Sequence, residues 1–184
     1  MSTLIIVAGL PGSGKSYACR ALKQLIPDSY YFDSDLFAKK LRGDRITSLA
    51  DADLVKERLV MHKAKITKIR KKFKRYEVIY IDTCFDMLAS RKLFYNLAEE
   101  DNINLIVIEM RCPTSVIKKR IFEGERDETR EVGTRMSRWD IHSRMKKNWS
   151  AISGNHYIVR SDKNVITQLK AILIKEKIAS VHSD

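Results

Sequence analysis

Residues Gly9 to Ser16 read GLPGSGKS, a full match to the pattern G-x-x-x-x-G-K-[ST] that cradles nucleotide phosphates. Glycines at 9, 12 and 14 permit a backbone whose successive N–H groups converge on an anion, and a helix opening at Lys15 would add the positive end of its dipole. In that arrangement Gly12, Ser13, Gly14, Lys15, Ser16 and Tyr17 surround the phosphates, Lys15 reaches the terminal ones, and the Ser16 hydroxyl ligates Mg2+. ATP and Mg2+ are therefore the expected cofactors. Two carboxylates accompany the loop. Asp35 follows the run Tyr30–Asp33, where its carboxylate can orient and deprotonate a hydroxyl; its alternative role is to cap the next helix, which Asp33 can do instead. Asp82 closes the apolar run in Ile81-Asp82-Thr83, placed for water-mediated contact with Mg2+ or for holding an acceptor, the alternative being a turn former at a strand end. Glu109 and the four scattered histidines receive no role.

These residues need a scaffold that brings them to one edge, and the hydrophobic pattern supplies it. Thr3–Ala8 is an apolar strand leading into the glycine loop, and apolar positions at 18, 22, 25 and 26 mark a helix behind it. Further strands are expected at 30–33, 77–82, 104–110 and 156–159. Helices are expected from Asp35, capped by Ser34 or Asp33, at 48–75 after a break at 42–44, then at 87–100, 115–122 and 165–178. Such alternation predicts an α/β fold with a parallel five-stranded sheet covered by helices on both faces. In open sheets of this kind the site lies beyond the carboxyl ends of the strands, where Asp35 and Asp82 fall. One domain accounts for the 184 residues.

Three widely spaced cysteines, Cys19, Cys84 and Cys112, form no zinc pattern and suit small buried apolar roles in a reducing cytoplasm. The N-terminal apolar stretch is too short for a signal peptide or a membrane span. The net charge of +12 is uneven: residues 1–92 carry 19 Lys/Arg against 10 Asp/Glu, and residues 93–184 carry 16 against 13. Much of the excess lies in Lys56–Tyr76, with ten basic residues and one acid, while Val55, Leu59, Ile66, Ile69 and Phe73 mark an apolar face. This basic amphipathic helix is either a solvated surface or a field that attracts nucleic acid or another polyanion; a membrane-surface role is the weaker alternative, because the apolar face is about what docking onto a sheet needs.

Between Glu123 and Arg138 the periodicity fails, and arginines recur at 126, 130, 135 and 138. A stretch of this length between helices is expected to be a lid that brings positive charge over a transferring phosphate and excludes water. No guanine-reading N-K-x-D motif is present, and the chain is short for a motor. The constellation therefore points to transfer of a phosphoryl group onto a hydroxyl.

GLPGSGKS, the strand running into Asp33-Ser34-Asp35, Ile81-Asp82-Thr83, and RCPTSVIKKR at 111–120 before the arginine-bearing lid together resemble the small P-loop kinases typified by bacteriophage polynucleotide kinase. Zeta-toxin, gluconate and chloramphenicol kinases are more distant relatives. The resemblance spans about Thr3 to Trp149 and implies a P-loop NTPase-type fold with Asp35 as general base. It also implies Asp82 near the acceptor and Arg120 with Arg126 or Arg130 clamping the nucleotide. One departure stands out: polynucleotide kinases place an arginine three residues after the catalytic aspartate, and this chain has Ala38, leaving Lys39, Lys40 and Arg42 as substitutes. The favoured acceptor is the 5′-hydroxyl of a polynucleotide. The alternatives are a kinase of a small metabolite (sugar, nucleoside or antibiotic) and a non-catalytic, nucleotide-dependent RNA-binding module. Oligomeric state is left open.

Overall fold

A computed structural model describes residues 1–42, 51–123 and 138–178. Five strands, β1 (Thr3–Ala8), β2 (Tyr30–Phe32), β3 (Val78–Thr83), β4 (Asn104–Arg111) and β5 (Tyr157–Arg160), form one sheet in the order β2-β3-β1-β4-β5. Every pairing is parallel. The helices are α1 (Lys15–Leu25), α2 (Ser34–Arg42), α3 (Asp51–Lys72), α4 (Leu88–Glu100), α5 (Thr114–Glu123), α6 (Arg138–Lys147) and α7 (Val165–Lys175).

The expected architecture is present, and its physical basis is plain in β1, which is buried along its whole length. Ile5 and Val7 join a core with α1 and α7, including Leu22, Leu169 and Leu173. Leu4, Ile6 and Ala8 face a second core with α3 and α4, including Ile69, Phe94 and Leu97. A strand covered on both sides has no polar alternation to show, which is why its sequence reads as a continuous apolar run. The centre of the sheet also determines the site. β1 lies between β3 and β4, with Val7 opposite Asp82 and Ala8 opposite Glu109, so the loop leaving β1 emerges beside the carboxyl end of β3.

Helix α3 departs from the expected pattern at its start. Val55 is exposed and Leu59 only half-buried, whereas Met61, His62, Lys65, Ile66 and Ile69 are buried. The inward face is thus mixed: two cationic side chains of the basic helix, the buried Lys65 and the half-buried Arg58, lie against other groups of the protein, Arg58 pairing with Asp86 at 2.7 Å. Apolar periodicity alone could not assign them, because basic residues recur on all sides of this helix.

The turn after β3 is held from within. Phe85 adopts a positive φ of 55°, a conformation disfavoured for a bulky side chain. Its ring is buried edge-on to Phe94 at 5.0 Å and near His62 at 6.3 Å. Arg91, fully buried in α4, donates from Nη1 to the Phe85 carbonyl at 2.7 Å and from Nη2 to the Ala151 carbonyl at 3.0 Å. One guanidinium therefore ties the turn after β3 to the segment after α6. Arg91→Ala removes both donors and opens a cavity. It should lower the free energy of unfolding in urea by about 3 kcal/mol.

His62 supplies a second test of this packing. Burial, and then the nearby Lys65 and Arg58, lower its pKa to about 3. The unfolded chain takes up a proton at His62 below about pH 6.5, while the folded chain resists it until about pH 3. This contribution to stability is complete above the unfolded pKa and is lost as pH falls through that window. Denaturation of His62→Gln across pH 6.5 to 3 should show a shallower loss of stability than the parent; identical slopes would contradict the burial of a neutral ring.

Candidate functional site

The loop of residues 9–16 turns by backbone geometry that side chains would forbid. Gly12 has φ +80° and Gly14 φ +96°, both in the left-handed region. A Cβ on Gly12 would lie 2.9 Å from Ile117 Cγ2, and one on Gly14 would lie 2.9 Å from Ser161 Cβ. Gly14 is also the N-cap of α1 and offers no side-chain cap, so the first-turn amides of the helix stay available for an anion. The Leu10 carbonyl accepts both from the Ser13 amide at 3.1 Å and from Lys15 Nζ at 3.1 Å. Lys15 thus lies folded along its own loop, with its ammonium beside the concavity.

Ser16 and Asp82 meet at the head of α1, where Ser16 Oγ donates to Asp82 Oδ2 at 3.4 Å. Asp82 is buried, and its Oδ1 has no protein partner. An orphaned carboxylate oxygen next to a hydroxyl suits a Mg2+ ion that keeps much of its water shell and takes phosphate oxygens as its main ligands. The described residues contain no group of three or more His, Cys, Asp or Glu side chains able to hold a metal by themselves.

Asp35 stands in the first turn of α2. Capping belongs to its neighbour, since Asp33 Oδ1 accepts from the Asp35 amide at 3.1 Å and the Leu36 amide at 2.8 Å. The Asp35 side chain is therefore not needed as a cap. It reaches solvent, yet enough protein surrounds it that desolvation, followed by the Asp82 carboxylate, raises its pKa above the usual carboxylate range; Lys15 and then Lys65 pull the other way. Asp35, Asp82 and Lys15 thus act on one another across one cleft, and a carboxylate with a raised pKa is a better proton acceptor than a free one.

On the other side of the loop, a cavity of about 470 Å³ is lined by Gly12, Gly14, Lys15, Tyr17, Arg120 and Lys163, among others. Arg120 on α5 donates to Ser161 Oγ at 2.7 Å, to the Ser161 carbonyl at 2.8 Å and to the Gly12 carbonyl at 3.4 Å. This places its guanidinium at the loop, joined to the turn between β5 and α7. Tyr17 is exposed at the rim. Ser13, by contrast, is buried, with its hydroxyl unpartnered.

The remaining expected residues divide. Lys39 is exposed on α2, and Arg42 ends that helix. Arg126, Arg130 and the rest of the expected lid at 124–137 lie outside the described residues. Cys19 is buried as expected, but Cys84 and Cys112 are half-buried, and Arg120 approaches Cys112 Sγ at 3.7 Å. Two contributors escaped the sequence reading. His142 on α6 is buried, and its Nδ1–H donates to the Pro11 carbonyl at 2.9 Å, bracing the loop from the far end of the chain; Ser161 receives Arg120. A lone histidine and a lone serine carry no spacing signal by which to find them.

Comparison with known proteins gives a consistent picture. The structure is similar to a sugar kinase from Janibacter sp. HTCC2649, with a TM-score of 0.70, 15% identity, and coverage of 97% of this chain and 96% of that one. It is also similar to a gluconokinase from Sinorhizobium meliloti 1021, with a TM-score of 0.66, 16% identity, and coverage of 95% and 93%. A third similarity is to the Mycobacterium tuberculosis APS kinase solved with AMPPNP and APS, with a TM-score of 0.65, 14% identity, and coverage of 96% and 98%. At such identities the likeness establishes the fold. A comparison with curated proteins gives no match. The model of one family covers residues 4–146, from the first strand through the phosphate loop, Asp35 and Asp82 to α6, and by that match the chain belongs to the AAA domain family.

Proposed function

We propose that this protein is an ATP-dependent phosphotransferase that moves the γ-phosphoryl group onto an acceptor hydroxyl. The observation that carries this reading is the convergence of Lys15, Asp82 and Asp35 at one cleft, with a capping residue that leaves Asp35 unencumbered. The loop amides and the head of α1 bind the phosphates, and Lys15 leaves the Leu10 carbonyl to meet charge on the group in transfer. Mg2+, when bound, neutralises phosphate charge; Ser16 would hold it directly and Asp82 through water. Asp35 receives the proton of the attacking hydroxyl as the new P–O bond forms and the bond to the ADP oxygen breaks. Arg120, fixed by Ser161, lines the nucleotide side.

Of the acceptors, a small hydroxyl compound is better supported than a polynucleotide end. Arg58 and Lys65 are turned inward near Asp35 and Asp86, and position 38 is alanine. Sugar, gluconate and APS kinases share the fold, which suits this class. The polynucleotide reading keeps one specific support, the exposed basic residues at 63, 68, 71, 74 and 75.

Two substitutions separate the halves of the mechanism. Asp35→Asn keeps size and removes basicity, so turnover should fall about a hundredfold with ATP affinity little changed; in the parent, activity should decline as pH falls through the raised Asp35 pKa, and this limb should vanish in the variant. Gly14→Ala places a Cβ against Ser161, and nucleotide affinity measured by titration calorimetry should drop at least about tenfold, following the loss of close backbone approach. Normal turnover in Asp35→Asn would return that residue to a structural role.

A further inference from the structure

We propose that the groove at the start of β2 is a binding site for single-stranded nucleic acid, separate from the phosphotransfer cleft. The groove encloses about 570 Å³, and its lining includes Lys23, Ser29, Tyr30, Arg75 and Tyr76. It opens where β2 begins and where the tail of α3 turns into β3. The phosphate loop, Asp35 and Asp82 all lie at the opposite, carboxyl ends of the strands. The site therefore stands whichever acceptor the cleft uses.

Two kinds of group meet in this groove. Tyr30 and Tyr76 place their ring centroids 5.3 Å apart at an angle of 37°, and the Lys72 ammonium lies 4.3 Å from the Tyr30 centroid and 6.0 Å from that of Tyr76. Both tyrosines keep part of their surface accessible. The segment leading in reads Lys71-Lys72-Phe73-Lys74-Arg75, four cations in five residues without an acid, and Lys71, Lys74 and Arg75 are exposed. Arg70 is different, because Asp101 and Glu100 each bind it at 2.7 Å. Asp28 is the acidic member of the lining.

The plainer explanation is that cations gather at a helix C-terminus to complement its dipole. That accounts for Arg70, Lys71 and Lys72, which lie in the last turn of α3. It does not account for Lys74 and Arg75, which follow the end of the helix at Lys72, or for the aromatic pair. Tyrosine rings interleaved with lysines and arginine suit a polymer that presents flat bases and a phosphate at each step. An anionic membrane fits less well, since a lipid-binding surface needs an apolar side chain to insert, and none of the large exposed apolar residues belongs to this groove.

The test uses the full chain and fluorescently labelled U20 RNA and dT20, followed by anisotropy from 50 to 300 mM NaCl. Binding is expected at low salt and should weaken with salt, at a slope of about 0.7 per phosphate contact. Lys71→Gln with Lys74→Gln and Arg75→Gln should flatten that slope by about two, and Tyr76→Ala should weaken binding about tenfold with Tyr76→Phe near the parent. An abasic strand of equal length should bind about tenfold more weakly, because it offers phosphates but no bases. Thermal melting and unchanged ATP affinity show that each variant is folded, and Arg75→Ala, at an exposed position, gives a further reading free of packing effects. No binding at 50 mM salt, equal affinity for the abasic strand, or binding indifferent to Tyr76 and the basic segment would overturn the proposal; so would preference for phosphatidylserine vesicles over both oligonucleotides. Phosphoryl transfer in the cleft is read separately with ATP, so failure of one assignment does not resemble failure of the other.

Discussion

A phosphate can be surrounded by backbone amides only if the chain turns tightly enough to aim them inward, and that constraint governs the rest of the molecule. Gly12 and Gly14 satisfy it with positive φ angles and with neighbours, Ile117 and Ser161, that leave no room for a Cβ. The loop can hold such a shape because both of its ends are anchored. One end leaves a central strand buried on both faces; the other enters a helix packed against β1 and α7. His142 and Arg120 brace the loop from later parts of the chain by bonding to the carbonyls of Pro11 and Gly12. Loop shape is therefore a tertiary property, supported by α5, α6 and the turn after β5.

The same centre of the sheet sets the electrostatics. Because β3 pairs with β1, Asp82 arrives beside Ser16, and β2 on the far side of β3 delivers Asp35 to the same cleft. Desolvation of Asp35 in this cleft, followed by repulsion from the Asp82 carboxylate, raises its pKa. Lys15 and Lys65 offset part of that repulsion. The net effect is a carboxylate more basic than an isolated aspartate, which suits the proton-accepting role proposed for it. Behind it, Arg91 and Phe85 keep the turn after β3 in one conformation, and the Arg58–Asp86 pair joins that turn to α3.

Much of this was legible in the residues, for stated physical reasons. Apolar runs of strand length alternating with amphipathic stretches imply a parallel sheet, and all five strands match within one residue at either end. Asp33 was recognisable as a cap and Asp35 as the freer carboxylate, because an Asp-Ser-Asp cluster at a strand end provides more groups than one helix start needs. What was hidden depended on contacts between distant segments. Strand order, the inward turn of Lys65, the exposure of Val55, the bracing by His142 and the grip of Arg91 on two carbonyls leave no local period. Helix α6 also lacks a clear one, with His142 the buried residue among its polar positions.

The central claim is that a phosphoryl group leaves ATP for a hydroxyl held between Lys15 and Asp35, and following the γ-phosphate itself tests it most directly. Purified protein is incubated with γ-labelled ATP and Mg2+ beside a panel of sugars, nucleosides and other hydroxyl metabolites and, in parallel, 5′-hydroxyl oligonucleotides, and the products are resolved by chromatography. The account predicts label in one class of acceptor, small compounds first, with Lys15→Ala abolishing the transfer while the fold persists. Label that remains in ATP or appears only as inorganic phosphate, across the panel and in a metabolite extract, would contradict it.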